Sequence, residues 1–249
     1  MLIAVSLGPG DESLLAPAAR KALERAEVIV GYKGYIDLVS PELLEGKEVF
    51  STGMTGEVER VNRAVDFAAE GRFTAVVCSG DAGIYAMAGL MLETLEARGL
   101  LERVDFEVVP GIPAFAAAAA LLGAPLMHDF ASVSLSDLLT PWETIEKRLR
   151  LAAEADFVLA IYNPRSRKRS GHLQKALDIV GQVRSPQTPV GLVKQAARPG
   201  QEVLTSTLGE FDPGLVDMQS LVIIGNSSTR LAGERMLTPR GYHTKYQVG

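Results

Sequence analysis

One cysteine, Cys78, stands alone in 249 residues, so no internal disulfide can form and the chain suits a reducing compartment without requiring one. Histidine is almost as scarce: His128, His172 and His243 are the only three, and no Cys or His cluster has metal-ligand spacing, which argues against a metal held by protein side chains. Positive charge is in deficit, with 25 Lys and Arg against 30 Asp and Glu and a formal net charge of -5. A broad basic face for nucleic-acid phosphates is therefore not expected, and any anionic partner must be met locally. Long apolar runs are missing too, since no window holds the roughly 18 uncharged residues of a membrane span. The opening stretch MLIAVSLGPGD has neither a basic leader nor a small-residue cleavage site, and reads as a first buried strand. The cytoplasm is the expected location.

What the chain does hold is apolar material, 47% hydrophobic against 22% charged, enough for a real core. Its length allows one large domain or two ordinary ones, and the pattern favours two. Strand-like apolar runs alternate with helical periodicity: Leu2 to Leu7, Ser13 to Arg25, Val28 to Val30, Glu57 to Glu70, Thr74 to Cys78, Ile84 to Arg98 and Phe106 to Val109. Such alternation predicts an α/β domain with a mostly parallel sheet under helices on both faces. Ser13, beside Asp11 and Glu12, is placed to cap the first helix. Pro113 is tolerated at the start of an Ala-rich helix, Ala114 to Leu122, and Gly123 and Pro125 end it.

After Pro125 the pattern restarts, with strands at Ala131 to Leu135, Phe157 to Tyr162, Pro189 to Val193, Glu202 to Leu208 and Leu221 to Gly225, and helices at Pro141 to Ala152 and Leu173 to Val183. The alternating stretch and the terminal run predict a second sheet of mixed direction. The boundary falls between residues 110 and 128, dividing the chain into an N-terminal α/β domain, 1–112, and a C-terminal one, 113–249.

Three strand-end loops carry the chemistry. Ser6-Leu7-Gly8-Pro9-Gly10-Asp11 places glycines where the backbone can take positive φ and approach a ligand. Its spacing is not the G-x-G-x-x-G fingerprint and it lacks the Lys of a P-loop, so a plain tight turn competes with a functional reading. Cys78-Ser79-Gly80-Asp81-Ala82-Gly83-Ile84-Tyr85 also follows an apolar strand, with Asp81 as the competing cap of a helix from Ile84. Val109-Pro110-Gly111-Ile112-Pro113-Ala114 leads into the alanine helix, whose small side chains admit a flat ligand or simply pack tightly. Ligands of open α/β sheets bind outside the carboxyl ends of strands, so three such loops point to one crevice.

LGPGD, SGDAGIYAM and VPGIPA, in this order, resemble the tetrapyrrole methylase family over nearly the whole chain. The resemblance implies two α/β domains with S-adenosylmethionine held in the cleft between them. Gly31 to Tyr35, Ser51 to Met54, Leu126 to Phe130, Ser136 to Trp142 and Tyr162 to Arg167 are similar to the precorrin-3B C-17-methyltransferase subfamily. What this implies is methylation of C-17 of precorrin-3B or cobalt-factor III with contraction of the ring to the precorrin-4 stage, in cobalamin biosynthesis, by a homodimer. Another carbon of a corrin-pathway or uroporphyrinogen tetrapyrrole stays open as the target. Residue by residue, the resemblance puts Pro9 against the cofactor, Ser79, Gly80 and Asp81 along its methionine part, and Ile84 beside them. Pro113 and Ala114 stand where relatives have Thr-Ala, Asn163 where they often carry Met after Tyr, and Ala196 where they often carry Gly.

Methyl transfer from a sulfonium needs position and a dry site more than a catalytic triad. Ring contraction asks for acid or base help, for which His128, Asp129 and Asp81 are candidates, His128 being equally readable as a hinge residue bonded to backbone. The substrate's carboxylates call for cations: Arg165, Arg167 and Lys168 lie in the densest basic run, and Lys33 and Arg198 are further candidates, with a solvated loop as the ordinary alternative. Cys78 reads as a small apolar filler and Trp142 as either a stacking surface or a packing residue. An NAD-type dehydrogenase would share the alternation, but the first turn lacks the spaced glycines and the acidic ribose contact. A non-catalytic tetrapyrrole carrier would be expected to have damaged cofactor loops, whereas Pro9, Gly80 and Asp81 are intact.

Overall fold

A computed structural model describes residues 1–166 and 169–247. The chain divides into two compact units, Met1–Ala114 and Phe115–Gly249.

The first unit runs β1 (Leu2–Ser6), α1 (Pro17–Arg25), β2 (Val28–Tyr32), α2 (Lys33–Ile36), α3 (Pro41–Leu44), β3 (Glu48–Thr52), α4 (Glu57–Ala69), β4 (Thr74–Cys78), α5 (Ala88–Ala97) and β5 (Phe106–Val109). All five strands are parallel, in the order β3-β2-β4-β1-β5. β1 and β4 are buried along their whole length because their two side-chain rows enter two cores. Ile3, Val5, Ala75 and Val77 pack with Ala19, Ala22 and Leu23 of α1 on one face. Leu2, Ala4, Val76 and Cys78 pack with Val61, Val65, Met91 and Leu95 of α4 and α5 on the other. In α4, buried Val61, Ala64, Val65 and Ala68 recur at helical spacing, which is why this segment coils and which face it turns inward.

The chain leaves β1 and β4, which are neighbours, over opposite faces, through α1 and α5 respectively. That is a topological switch point, where a crevice opens at the carboxyl ends of the strands. The order also separates this sheet from a dinucleotide fold, in which the first strand pairs with the second; here β4 lies between them.

The second unit is built from α6 (Ala114–Leu122, starting at the junction), β6 (Gly123–Ala124), β7 (Phe130–Ser134), α7 (Trp142–Glu154), β8 (Val158–Tyr162), α8 (His172–Gly181), β9 (Pro189–Lys194), β10 (Glu202–Thr207), β11 (Ser220–Ile224), β12 (Arg230–Ala232) and β13 (Arg235–Leu237). Its main sheet has the order β10-β9-β11-β8-β7 and is mixed: β7 and β8 are parallel, while β11 runs antiparallel to β8 and β9, and β10 antiparallel to β9. β7, β8 and β9 therefore end at one edge of the sheet. α7 and α8 bury Ile145, Leu149, Leu173, Ala176 and Val180 against Leu159, Ile161, Leu192 and Val222. A small sheet, β12-β13-β6, completes the unit.

Three local expectations need correction. The cap of the first turn is Asp11, whose carboxylate accepts from the backbone N–H and hydroxyl of Ser13 at 2.8 and 2.5 Å, so Ser13 is the donor. The helix expected from Ile84 begins at Ala88, with no side-chain cap, and Asp81 is thus not a helix cap. The first helical stretch is split, a short turn at Glu12–Leu14 preceding α1, which Pro17 opens. No helix among the described residues is long and apolar enough to cross a membrane.

Candidate active site

The loops after β1, β4 and β5 meet. Gly8 and Gly80 exchange backbone hydrogen bonds, Gly8 N–H to Gly80 O at 3.1 Å and Gly80 N–H to Gly8 O at 2.7 Å, which prolongs the β1–β4 pairing past the sheet as an antiparallel bridge. Both glycines have left-handed φ, +67° and +69°, a conformation that costs an L side chain about 1–2 kcal/mol. The buried Ser6 hydroxyl accepts from Ala82 N–H at 2.8 Å. Asp81 then ties in the third loop: Oδ1 accepts from Gly83 N–H at 2.8 Å and Oδ2 from Gly111 N–H at 2.9 Å. Gly111 fits only as glycine, because a Cβ would stand 2.6 Å from Ser6 Cβ and 2.8 Å from Gly80 O.

Pro9 and Gly80 are buried in this cluster, while Ser79, Asp81, Ile84, Pro113 and Ala114 are half-buried along it. Pro113 Cα and Ala114 N lie against the open side of Gly80, 3.8 and 3.6 Å from where its Cβ would be. Segments 6–11, 79–87 and 110–114 carry two carboxylates, Asp11 and Asp81, and no Lys, Arg or His. Hydrogen bonds from Ser13 hold the Asp11 carboxyl below the usual range. Burial pushes the Cys78 thiol up to about 11, so beneath the loops it is a protonated apolar filler. Loops that carry carboxylates and no cationic side chain suit a ligand whose net charge is positive.

In the second unit, the carboxyl ends of β7, β8 and β9 form one rim. Asn163, left-handed at φ 50°, donates from Nδ2 to Ser134 Oγ at 2.9 Å, and Tyr162 Oη accepts from Phe115 N–H at 3.1 Å at the start of α6. Ala196 sits between Gln195 and Ala197, which have φ of 47° and 56°; three non-glycine residues in this region on one rim mark stored backbone strain. Two arginines of the basic run bind backbone carbonyls: Arg165 Nη1 donates to Gly214 O and Val216 O at 3.1 and 3.2 Å. Arg169 Nη1 donates to Leu135 O and Asn163 O, each at 3.2 Å. Asp137 pairs with Arg169 Nε at 3.6 Å and accepts from His172 Nε2 at 2.9 Å. Trp142 packs edge-on against His172, ring centres 4.9 Å apart, which is the packing reading of that tryptophan.

His128 and Asp129 precede β7, so within the unit they stand at the opposite edge from Asn163, roughly 16 Å along a five-residue strand. There His128 Nδ1 accepts from Asp129 N–H at 2.9 Å, and the pair lines a cavity of about 610 Å³ with Asp156, Asn226, Arg230 and Arg240. The parallel register of β7 and β8 thus places His128 and Asp129 at the edge of this sheet opposite Asn163. Lys33 opens α2 at the carboxyl end of β2 and is paired with Asp37 at 3.3 Å. Arg198 is half-buried in the β9–β10 connection. Arg167 and Lys168 lie outside the described residues. Among the described residues, no group of three His, Cys, Asp or Glu is arranged to hold a metal ion.

The family model of tetrapyrrole (corrin/porphyrin) methylases matches residues 1–212. The chain belongs to that family. It is 50% identical over 242 residues to a probable cobalt-factor III C(17)-methyltransferase of Salmonella typhimurium, covering 97% of this chain and 99% of the relative. Its structure superposes on the crystal structure of the methyltransferase CobJ with a TM-score of 0.91 at 39% identity, over 96% of this chain and 99% of that one. A uroporphyrin-III C-methyltransferase from Thermus thermophilus, crystallised with S-adenosylhomocysteine, superposes with a TM-score of 0.65 at 25% identity over 90% and 91% of the two chains.

As a tetrapyrrole methylase the chain is an S-adenosylmethionine-dependent methyltransferase. The three converging loops fit that donor: it carries a sulfonium, an ammonium and a carboxylate, a net positive charge that two carboxylates and no cation accommodate. Two features of this methyltransferase escaped the residue-by-residue reading. Tyr162 stood in a subfamily-like segment with no role given to its hydroxyl, and the Asp137–Arg169–His172 cluster joins three separate segments with no motif of its own.

Proposed function

We propose that the protein methylates C-17 of a corrin-pathway macrocycle, cobalt-factor III or precorrin-3B, with contraction of the ring in the same reaction. The observation that carries the reading is the convergence of the Gly8, Gly80 and Gly111 loops at the β1/β4 switch point. The choice of C-17 rests on full-length similarity at 50% identity to a relative named for that carbon and for cobalt-factor III, which favours the cobalt-containing substrate. Similarity to the solved C-methyltransferase that acts on uroporphyrin-III is much lower, at 25%, and favours the C-17 assignment over that alternative.

S-adenosylmethionine supplies the methyl group and leaves as a neutral thioether. The protein's part is to hold and exclude: Pro9, Ser79, Gly80 and Ile84 line the donor's methionine portion in this proposal, with Pro113, Ala114, Asn163 and Ala196 as the remaining contacts. Alignment of two reactants can be worth about 7–11 kcal/mol, so no side-chain nucleophile is required. Asp81 acts through structure, since both its oxygens are engaged by backbone N–H groups, rather than as the acid or base of ring contraction. We do not assign the acid or base role in ring contraction to His128 or Asp129, which stand at the edge of the second sheet opposite Asn163. Lys33, Arg198 and the segment of Arg165, Arg167 and Lys168 are the proposed contacts of substrate carboxylates, Arg165 through the donors its two carbonyl bonds leave over. A homodimer in the cytoplasm is the proposed setting.

The test is product analysis. Purified protein, cobalt-factor III or precorrin-3B and methyl-labelled donor should give a product one methyl heavier, with the label at C-17 by nuclear magnetic resonance and C-20 expelled from the ring. Label at any other carbon contradicts the C-17 assignment, and an uncontracted product contradicts the ring contraction.

A further inference from the structure

The rim of the second unit holds a polar clamp between chain segments that no local pattern links. Asp137, in the loop after β7, accepts a hydrogen bond from His172 Nε2 at 2.9 Å and faces Arg169 Nε at 3.6 Å. His172 is the first residue of α8, and its ring is wedged against Trp142 at 4.9 Å between centres, so the carboxylate is approached from a fixed direction. Arg169, four-fifths buried at its side chain, turns its Nη1 to Leu135 O and Asn163 O, both at 3.2 Å. Those two carbonyls terminate adjacent parallel strands, β7 and β8. Ser166 and Arg169 exchange backbone hydrogen bonds at 3.2 Å as an antiparallel bridge, and the Arg169 guanidinium reaches Asn163 O from beside it.

Asn163 is the residue this clamp constrains. Its φ of 50° is one that side-chain-bearing residues adopt uncommonly and Asn more readily than most, and it is held from both sides: Arg169 binds its carbonyl and Ser134 Oγ binds its Nδ2. Ser134 Oγ also accepts from Ser136 N–H at 3.2 Å, so the same hydroxyl anchors the segment that carries Asp137.

We infer that Asp137 is a positioning residue for the methyl donor: through Arg169 and with His172 behind it, it holds the Asn163 backbone in the left-handed conformation that presents this residue to the donor. The inference rests on the proposed contact between Asn163 and S-adenosylmethionine. Asp137 touches neither donor nor macrocycle. With the clamp released, Arg169 loses its counter-charge, Asn163 relaxes toward ordinary φ, and the rim between β7 and β8 loses its shape while the core beneath, built by Leu159, Ile161, Leu173 and Leu177, stays packed.

The test is a double-mutant cycle on the full chain, read by calorimetric titration with S-adenosylhomocysteine and by the donor's KM against kcat. Asp137→Asn and Asn163→Ala are each expected to weaken binding about five- to fifty-fold, within the roughly two- to 150-fold span of coupling between residues in one network, with KM rising and kcat changing little. The double variant should bind no more weakly than either single one. Unchanged affinity in Asp137→Asn, or fully additive losses in the double variant, overturns the inference. Arg169→Gln, which keeps the carboxylate and removes the bridge, must reproduce the loss; it replaces Asp137→Asn should that protein fail to fold, and wild-type affinity in Arg169→Gln is likewise contrary. Failure of the functional reading looks different: the unaltered protein would then not bind S-adenosylhomocysteine at all.

Discussion

Asp81 illustrates how one side chain can matter to a binding site without entering the reaction. Its two oxygens each satisfy one backbone N–H, Gly83 within its own loop and Gly111 in the next, so the carboxylate joins two of the three site loops. Removing it in Asp81→Ala takes the acceptor from the solvent-facing Gly83 N–H and the half-buried Gly111 N–H, and only the second approaches the roughly 1–3 kcal/mol of an unsatisfied buried donor. A lower urea midpoint together with weaker S-adenosylhomocysteine binding is the expected pair of results; unchanged affinity would mean the loops hold without it. Cys78 makes a second residue-level prediction. Burial, opposed by a backbone hydrogen bond from Met87 and by the charge of Arg60, lifts its thiol from an ordinary 9.0 to about 11. Between those values the unfolded chain ionises and the folded one does not, so the contribution is intact below pH 9.0 and is lost as pH rises through about 11. Iodoacetamide at pH 8 should label the folded protein at least about a hundred times more slowly than the urea-unfolded chain, as read by mass. His128→Ala should change kcat far less than the roughly hundredfold or greater loss that follows removal of a general acid or base.

Elements differ in how plainly the sequence announces them, and the reason is how local their causes are. β4 reads at both ends, Thr74 to Cys78, because a strand buried on two faces is apolar throughout. β3 does not register as an apolar run: it is a sheet edge with Glu48 and Val49 exposed. The start of α5 is displaced from Ile84 to Ala88 because Tyr85 is left-handed at φ 52° and Ala82 is held by Ser6, a contact 76 residues away. Likewise the glycine loops of the site were legible, since each sits at a strand end, whereas the Asp137–His172 pair spans 35 residues and depends on how β7, β8 and α8 pack. This pair also predicts a pH effect. The hydrogen bond from His172 holds the Asp137 carboxyl below its ordinary value, so its contribution is present above the usual carboxylate range and is lost as pH falls through the lowered value. Stability measured against pH should lose its acid limb in part in Asp137→Asn; an unaltered limb would show that this carboxylate is uncoupled from folding.

At the scale of the molecule, two sheets of different character divide the work. The parallel sheet of the first unit creates a switch point between β1 and β4, and the strand order that does so, with β4 inserted beside β1, is not that of a dinucleotide-binding fold. The mixed sheet of the second unit gathers three strand ends on one rim and leaves His128 and Asp129 at the other. Membership of the tetrapyrrole methylases joins these observations to one donor, and the charge of the three loops agrees with it. In the proposed function the loops around Gly8, Gly80 and Gly111 bind that donor. Calorimetric titration of the intact protein and of Gly111→Ala, with S-adenosylhomocysteine and separately with NADH, tests it most directly. Expected are saturable binding of S-adenosylhomocysteine to the intact protein, its loss in Gly111→Ala, where a Cβ would press on Ser6 and Gly80, and no heat with NADH. Binding of NADH, or S-adenosylhomocysteine binding that survives Gly111→Ala unchanged, would contradict it.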